Sequence, residues 1–120
     1  MEIKKLIHEA HETAYGNGFW DMERQVLDKM LSMGFTDDEV KAVKQAFEMQ
    51  KMLLIVSEIG EYVEAVREGK VREGDEELVD ILIRWADFVK GTGADGRVTD
   101  TLLRKMRKNK ERPRLHGKEF

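Results

Sequence analysis

The sequence predicts an all-α domain, and three observations carry that expectation. Apolar residues recur at helical spacing along most of the chain, only one proline occurs in 120 residues, and charged residues make up 38% against 41% apolar. That balance is typical of long amphipathic helices rather than of a turn-rich β protein. The length fits one core, so residues 1–120 are expected to form a single four- to five-helix bundle with a basic C-terminal tail over 104–120.

Ile3, Leu6, Ile7, Ala10 and Ala14 follow the i, i+3, i+4, i+7 rule and predict a first helix over 2–15, which Gly16-Asn17-Gly18 ends. A second runs from about Asp21 to Met33, with Met22, Val26, Leu27, Met30 and Leu31 on one side and Gly34 closing it. Thr36-Asp37-Asp38-Glu39 is a capping-box sequence that starts a long third helix, uninterrupted as far as Gly69. Gly60 inside it costs about 1 kcal/mol relative to alanine, which suggests close packing or a bend there. The stretch Gly69 to Gly74 reads as a loop and Asp75 as the N-cap of a fourth helix over 76–90. Apolar residues point in nearly every direction on that helix, so it is expected to be buried on most sides. Gly91 to Arg97 reads as a loop, 99–111 as a fifth helix, and Pro113 as its stop.

The chain has no cysteine, so neither a disulfide framework nor a thiolate metal site is possible. Its first residues lack the apolar stretch of a signal peptide, and its longest apolar run, Met52 to Val56, is too short to span a bilayer. A cytoplasmic protein without membrane contact is expected. The net charge of −3 conceals a basic segment, Arg104 to Lys118, in which Glu111 is the only acid. Such a segment can bind nucleic acid or supply cations to a polyanionic small substrate.

The acids are the unusual feature. On the fourth helix the polar residues between Glu77 and Phe88 are Glu77, Asp80, Arg84 and Asp87, one narrow stripe on an otherwise apolar helix. The third helix repeats the device with Lys51, Glu58 and Glu61 on one line. An acid pair at i, i+3 is ordinarily just solvated. Two such pairs on adjacent apolar helices, folded antiparallel by a short loop, would converge inside the bundle. Converging carboxylates repel, so they must either hold protons or share a cation. Magnesium suits four oxygen ligands with no histidine or cysteine beside them.

The order Glu58-x-x-Glu61 followed by Glu77-x-x-Asp80 resembles the ExxE…ExxD signature of the all-α nucleoside triphosphate pyrophosphohydrolases of the MazG-like group. The stretches LLIVSEIGEYVEAVREGK and EELVDILIRWADF are similar to that family's third and fourth helices, and Gly18-Phe19-Trp20-Asp21 to its GFWD segment. Lys105-Met106, Asn109, Arg112-Pro113 and His116-Gly117-Lys118 are similar to its K-M…N…R-P…H-G-K ending. Ser57 stands where an EExxE form has a second glutamate, and residues 22–51 carry no recognisable functional motif.

The resemblance implies hydrolysis of a nucleoside or deoxynucleoside triphosphate between its α and β phosphates, as a nucleotide-pool housecleaning or control activity. It implies Mg2+, with Mn2+ as a substitute, held by Glu58, Glu61, Glu77 and Asp80. Any one of the four acids can serve as the base, and Glu61 is the candidate for that role. It also implies a homodimer or homotetramer. Arg112, Lys118, Asn109 and Lys105 would meet the phosphates, and Lys51 either a phosphate or the acids themselves. Trp20 or Phe19 is a candidate to stack on the base, against an ordinary role as a core plug. His8 and His11, without other ligands nearby, read as surface or core residues, and His116 as a structural or phosphate-facing one. The rivals are a nucleic-acid-binding helical domain using the basic tail, which gives the acids no role, and a non-catalytic interaction module, which leaves them unexplained.

Overall fold

The structure, a computed structural model, describes residues 2–113. Its elements are α1 (Ile3–Gly16), α2 (Asp21–Ser32), α3 (Asp37–Arg67), α4 (Val71–Gly91) and α5 (Asp95–Glu111), with no strand among the described residues. The all-α expectation holds. The long antiparallel pair α3/α4 is the spine, α1 lies along α4, α2 leans on α3, and α5 closes the end formed by α1 and α4.

The start of α3 is fixed by the capping box. The Glu39 N–H donates to the Thr36 hydroxyl at 3.1 Å, and the Thr36 N–H donates to the Glu39 carboxylate at 2.9 Å. Caps of this kind stabilise a helix by about 1 kcal/mol.

The α3–α4 connection is tighter than the sequence suggests. Gly69 adopts φ +69, the left-handed region that lets the chain reverse within one turn, and α4 then begins at Val71. Asp75 is therefore not an N-cap, and Gly74 lies inside the helix and buried. A methyl at Gly74 would sit 3.7 Å from the Tyr62 ring and 3.9 Å from Ala65. The small residue sits where the two helices approach, and contact there outweighs its poor helix propensity. Helix α5 likewise starts at Asp95 rather than 99, because Val98 packs on the core and Thr99 is buried. Gly60, by contrast, has nothing within 4 Å of the position a Cβ would take, so the expected close packing does not occur within the chain.

The core is small. Ile7, Ala10, Ala86 and Val89 form its centre, with Ile3, Leu6, Trp85 and Val98 against them. Trp20 is buried at 5% exposure, and its ring lies so close to Gly91 that a Cβ there would fall 2.1 Å from Cζ2. The expectation that α4 is buried on most sides fails within one chain: Leu78, Val79, Leu82 and Ile83 are exposed, as are Leu53, Val56, Ile59, Val63 and Val66 of α3. The radius of gyration, 18.0 Å, exceeds the roughly 14 Å of a compact chain this long. No helix among the described residues is long and apolar enough to cross a membrane.

Candidate metal centre

Glu58 projects from α3 towards α4, where Glu77 and Asp80 share one face a turn apart. One carboxylate oxygen from each of the three lies within 4.8 Å of the others. Glu58 and Glu77 are half-buried and Asp80 is exposed, so the cluster has an inner wall and an open side. Glu77 Oε2 is enclosed, and no donor among the described residues reaches it. An enclosed acceptor without a donor is unfavourable, and a cation would relieve it.

The electrostatics follow from the geometry. Glu77 is pushed up to about 7 from an ordinary 4.5, first by its hydrogen bond with Glu58, then by burial and by Glu61. Glu58 moves the other way. The hydrogen bond with Glu77 holds it below the carboxylate range, with help from Arg84 against the opposing effect of burial. The two side chains thus share one proton, with Glu58 as the anion. Arg84 Nε donates to Glu58 Oε1 at 2.9 Å.

The donor set fits a hard divalent cation: all ligands are oxygen, and one carboxylate surrenders its proton near neutral pH. Glu61 is exposed and lies outside this group, although near enough to raise Glu77.

The basic residues expected at the phosphates are dispersed. Lys51 is buried at 7% exposure, away from the acid cluster's partners: its ammonium lies 3.4 Å from Glu23 Oε1 and 4.3 Å from the Trp20 ring centroid, with Phe19 and Phe47 around it. The pairing is with α2, a partner that nothing in the acids' spacing pointed to. Glu23 belongs to a helix of largely polar composition, and nothing in its spacing marks it as buried. Trp20 plugs the core, and its indole N–H donates to Asp87 Oδ1 at 2.8 Å. His11 Nδ1 meets the same oxygen at 2.9 Å; with an acceptor-only carboxylate opposite, the proton belongs on Nδ1. Lys105, Asn109 and Arg112 are exposed at the far half of α5 and beyond it, while His116 and Lys118 lie outside the described residues.

The cation that does stand beside the acids is Arg84. A cleft of about 300 Å³ runs between α1 and α4 and is bordered by Asp80, Arg84 and Asp87 from α4, Asn17 and Phe19 from the turn after α1, and the apolar Ala14 and Ile83. Arg84 was visible in the sequence as a member of the polar stripe of α4; its place between the acids and an aromatic ring, 5.8 Å from the Phe19 centroid, was not.

Comparison of the chain with protein-family models, curated proteins and solved structures gives no match. What the site does must therefore be argued from its own chemistry.

The shared proton has a measurable consequence. The folded chain keeps the Glu77 proton up to about pH 7, whereas an unfolded glutamate releases it near 4.5. Folding binds a proton in that window, so this pair's contribution to stability is lost as pH rises through it. Glu77→Gln cannot titrate. In metal-free buffer the parent should lose stability relative to the variant between those two pH values, measured by paired thermal melts. A parent that gains on the variant as pH rises would contradict the geometry.

Proposed function

We propose that this chain is a divalent-metal-dependent hydrolase of nucleoside triphosphates, cutting between the α and β phosphates to give a monophosphate and pyrophosphate. The observation that carries the reading is the meeting of Glu58, Glu77 and Asp80, within 4.8 Å of one another, at the edge of a cleft that also holds Arg84. The MazG-like motifs in the sequence support the same reaction and name Mg2+, or Mn2+ in its place, as the ion.

Glu58, Glu77 and Asp80 would hold the ion. The ion would supply positive charge against the charge developing on the phosphate and would lower the pKa of the attacking water. Glu58 stays anionic because Arg84 pairs with it, so one ligand is ready at neutral pH. Glu77, which holds its proton to about pH 7, would have to release it to act as a ligand. Glu61, exposed beside the group, is placed to take the proton of the water, the role the sequence suggests for it. Arg84 spends Nε on Glu58 and has its terminal nitrogens for a phosphate oxygen in the cleft.

The second copy implied by the sequence has a physical argument in the exposed apolar faces of α3 and α4. Leu53, Val56 and Val66 of α3 and Val79 of α4 are each more than half exposed, on the same two helices that carry the acids. A self-complementary pairing of these faces in a homodimer, or in a tetramer of dimers, would cover them. The competing nucleic-acid reading draws on the exposed Arg104, Lys105, Arg107 and Lys108 of α5.

One assay decides between the catalytic and nucleic-acid readings. Incubated with each ribo- and deoxynucleoside triphosphate and magnesium, the protein should release pyrophosphate and monophosphate, lose this activity in EDTA, and lose more than about a hundredfold on Glu77→Gln. Diphosphate and orthophosphate as products, or turnover that survives EDTA, would overturn the reading; salt-dependent RNA or DNA binding without hydrolysis would favour the basic helix. Sedimentation should give the mass of at least two chains, and a 14.0 kDa species at micromolar concentration would contradict the pairing of the apolar faces.

A further inference from the structure

The metal centre leaves one buried ion of α4 unexplained. Asp87 is only 4% exposed, and two donors, the Trp20 indole and His11, converge on its Oδ1. Both of these hydrogen bonds go to Oδ1, and Oδ2 is not among the fully enclosed acceptors of the described residues. Asp87 nevertheless lines the cleft that Asp80 and Arg84 share. Its carboxylate is therefore clamped by one oxygen and offers the other to whatever occupies the cleft. The oxygen has access to the cleft, and a ligand that brings an N–H there can take the place of water as its donor.

The cleft has the form of a nucleoside pocket. Asp87 follows Asp80 by two helical turns, about 10 Å along α4, comparable with the reach of a nucleoside from its α-phosphate to the edge of its base. Phe19, 38% exposed, supplies an aromatic wall, Ala14 and Ile83 supply apolar ones, and the volume of about 300 Å³ takes a base with part of its sugar. Trp20 lies behind Asp87 with its N–H consumed, so of the two neighbouring aromatics Phe19 is the one that can stack on a ligand.

We propose that Asp87 Oδ2 reads the base by accepting a hydrogen bond from an exocyclic amino group, so that the cleft prefers cytosine, adenine or guanine nucleotides over those of uracil and thymine. The proposal rests on the hydrolase reading above and names its substrate class. Where cytosine presents N4–H2, uracil presents O4, and two acceptors would face each other. The uracil N3–H is flanked by two carbonyl oxygens, whose repulsion with the carboxylate weakens a contact to Oδ2 relative to one from an exocyclic amino group. A site built to accept a hydrogen bond rejects the analogue that lacks the donor, because its own buried acceptor is then left unpaired. His11 and Trp20 are positioning residues in this scheme. They fix the rotamer of Asp87 and direct its free oxygen at the base.

The test compares kcat/KM for CTP with UTP, and for dCTP with dUTP, in parent and Asp87→Asn. The variant keeps an oxygen for the Trp20 N–H and turns an amide N–H2 into the cleft. The parent should prefer the cytosine nucleotide by about ten- to a hundredfold, and the variant should lose or invert that ratio. An equal fall for both nucleotides, with the ratio kept, would mark Asp87 as purely structural and overturn the proposal. Should the variant not fold, calorimetric titration of the parent with CMP and UMP gives the same decision: tighter CMP supports the base contact, and equal affinities overturn it. A parent that hydrolyses no triphosphate but binds CMP in preference to UMP would sink the hydrolase reading and leave the amino-reading pocket standing. One that hydrolyses both nucleotides equally would do the reverse.

Discussion

The fold turns on the Trp20 indole, where the buried charges of four helices meet. Its N–H is held by Asp87 of α4, its face carries the Lys51 ammonium of α3 at 4.3 Å, and the His11 ring of α1 stands edge-on at 5.5 Å. Glu23 of α2 neutralises Lys51 from the far side. Lys51 is paired with Glu23, Asp87 is held through one oxygen, and breaking a buried pair by removing one member costs about 3–5 kcal/mol. A cation over the ring also makes the indole N–H a better donor towards Asp87. The arrangement leaves no room at Gly91 for a side chain, so the end of α4 is drawn hard against the turn that follows α1. With only four small or medium side chains at the centre of the apolar core, this polar lock is what sets how α4 lies against α1 and α3.

That setting has a consequence one and two turns back along α4. Once Asp87 is fixed, Arg84 and Asp80 face the cleft, and Glu77 is carried against Glu58 of α3. Carboxylates so placed repel each other, and the metal-free chain resolves the repulsion in two ways at once: Glu58 takes Arg84 as its partner, and Glu77 keeps a proton towards neutral pH. Both are easily reversed by a divalent ion. Local repulsion of this kind is tolerated because the lock at Trp20 and the capped start of α3 stabilise the same two helices elsewhere.

Much of this was legible in the sequence because helical periodicity reports faces. The stripe Glu77, Asp80, Arg84, Asp87 on an apolar helix, and Glu58 with Glu61 on its neighbour, correctly placed acids on facing helices. Periodicity does not report depth or register across an interface. It could not show that Glu58 reaches Glu77 and Asp80 while Glu61 stays exposed, since that depends on where α3 and α4 cross, at Gly74 against Tyr62 and Ala65. The same glycine was mistaken for part of a loop because its helix propensity is poor and its packing invisible. Lys51 was read along its own helix, towards Glu58, when its partner lies on α2; a lysine among aromatics has no signature in one-dimensional spacing. The apolar residues of α4 predict burial on most sides, and a single chain does not supply the surfaces to provide it.

The central claim is that Glu58, Glu77 and Asp80 jointly bind one divalent ion. Manganese takes the same oxygen ligands as magnesium and scatters anomalously, so its position can be read directly in a crystal of the protein grown with it. The account predicts an anomalous peak bonded to all three carboxylates, with Arg84 within reach of the same cleft. A manganese peak elsewhere, or none at these residues under saturating manganese, would contradict it.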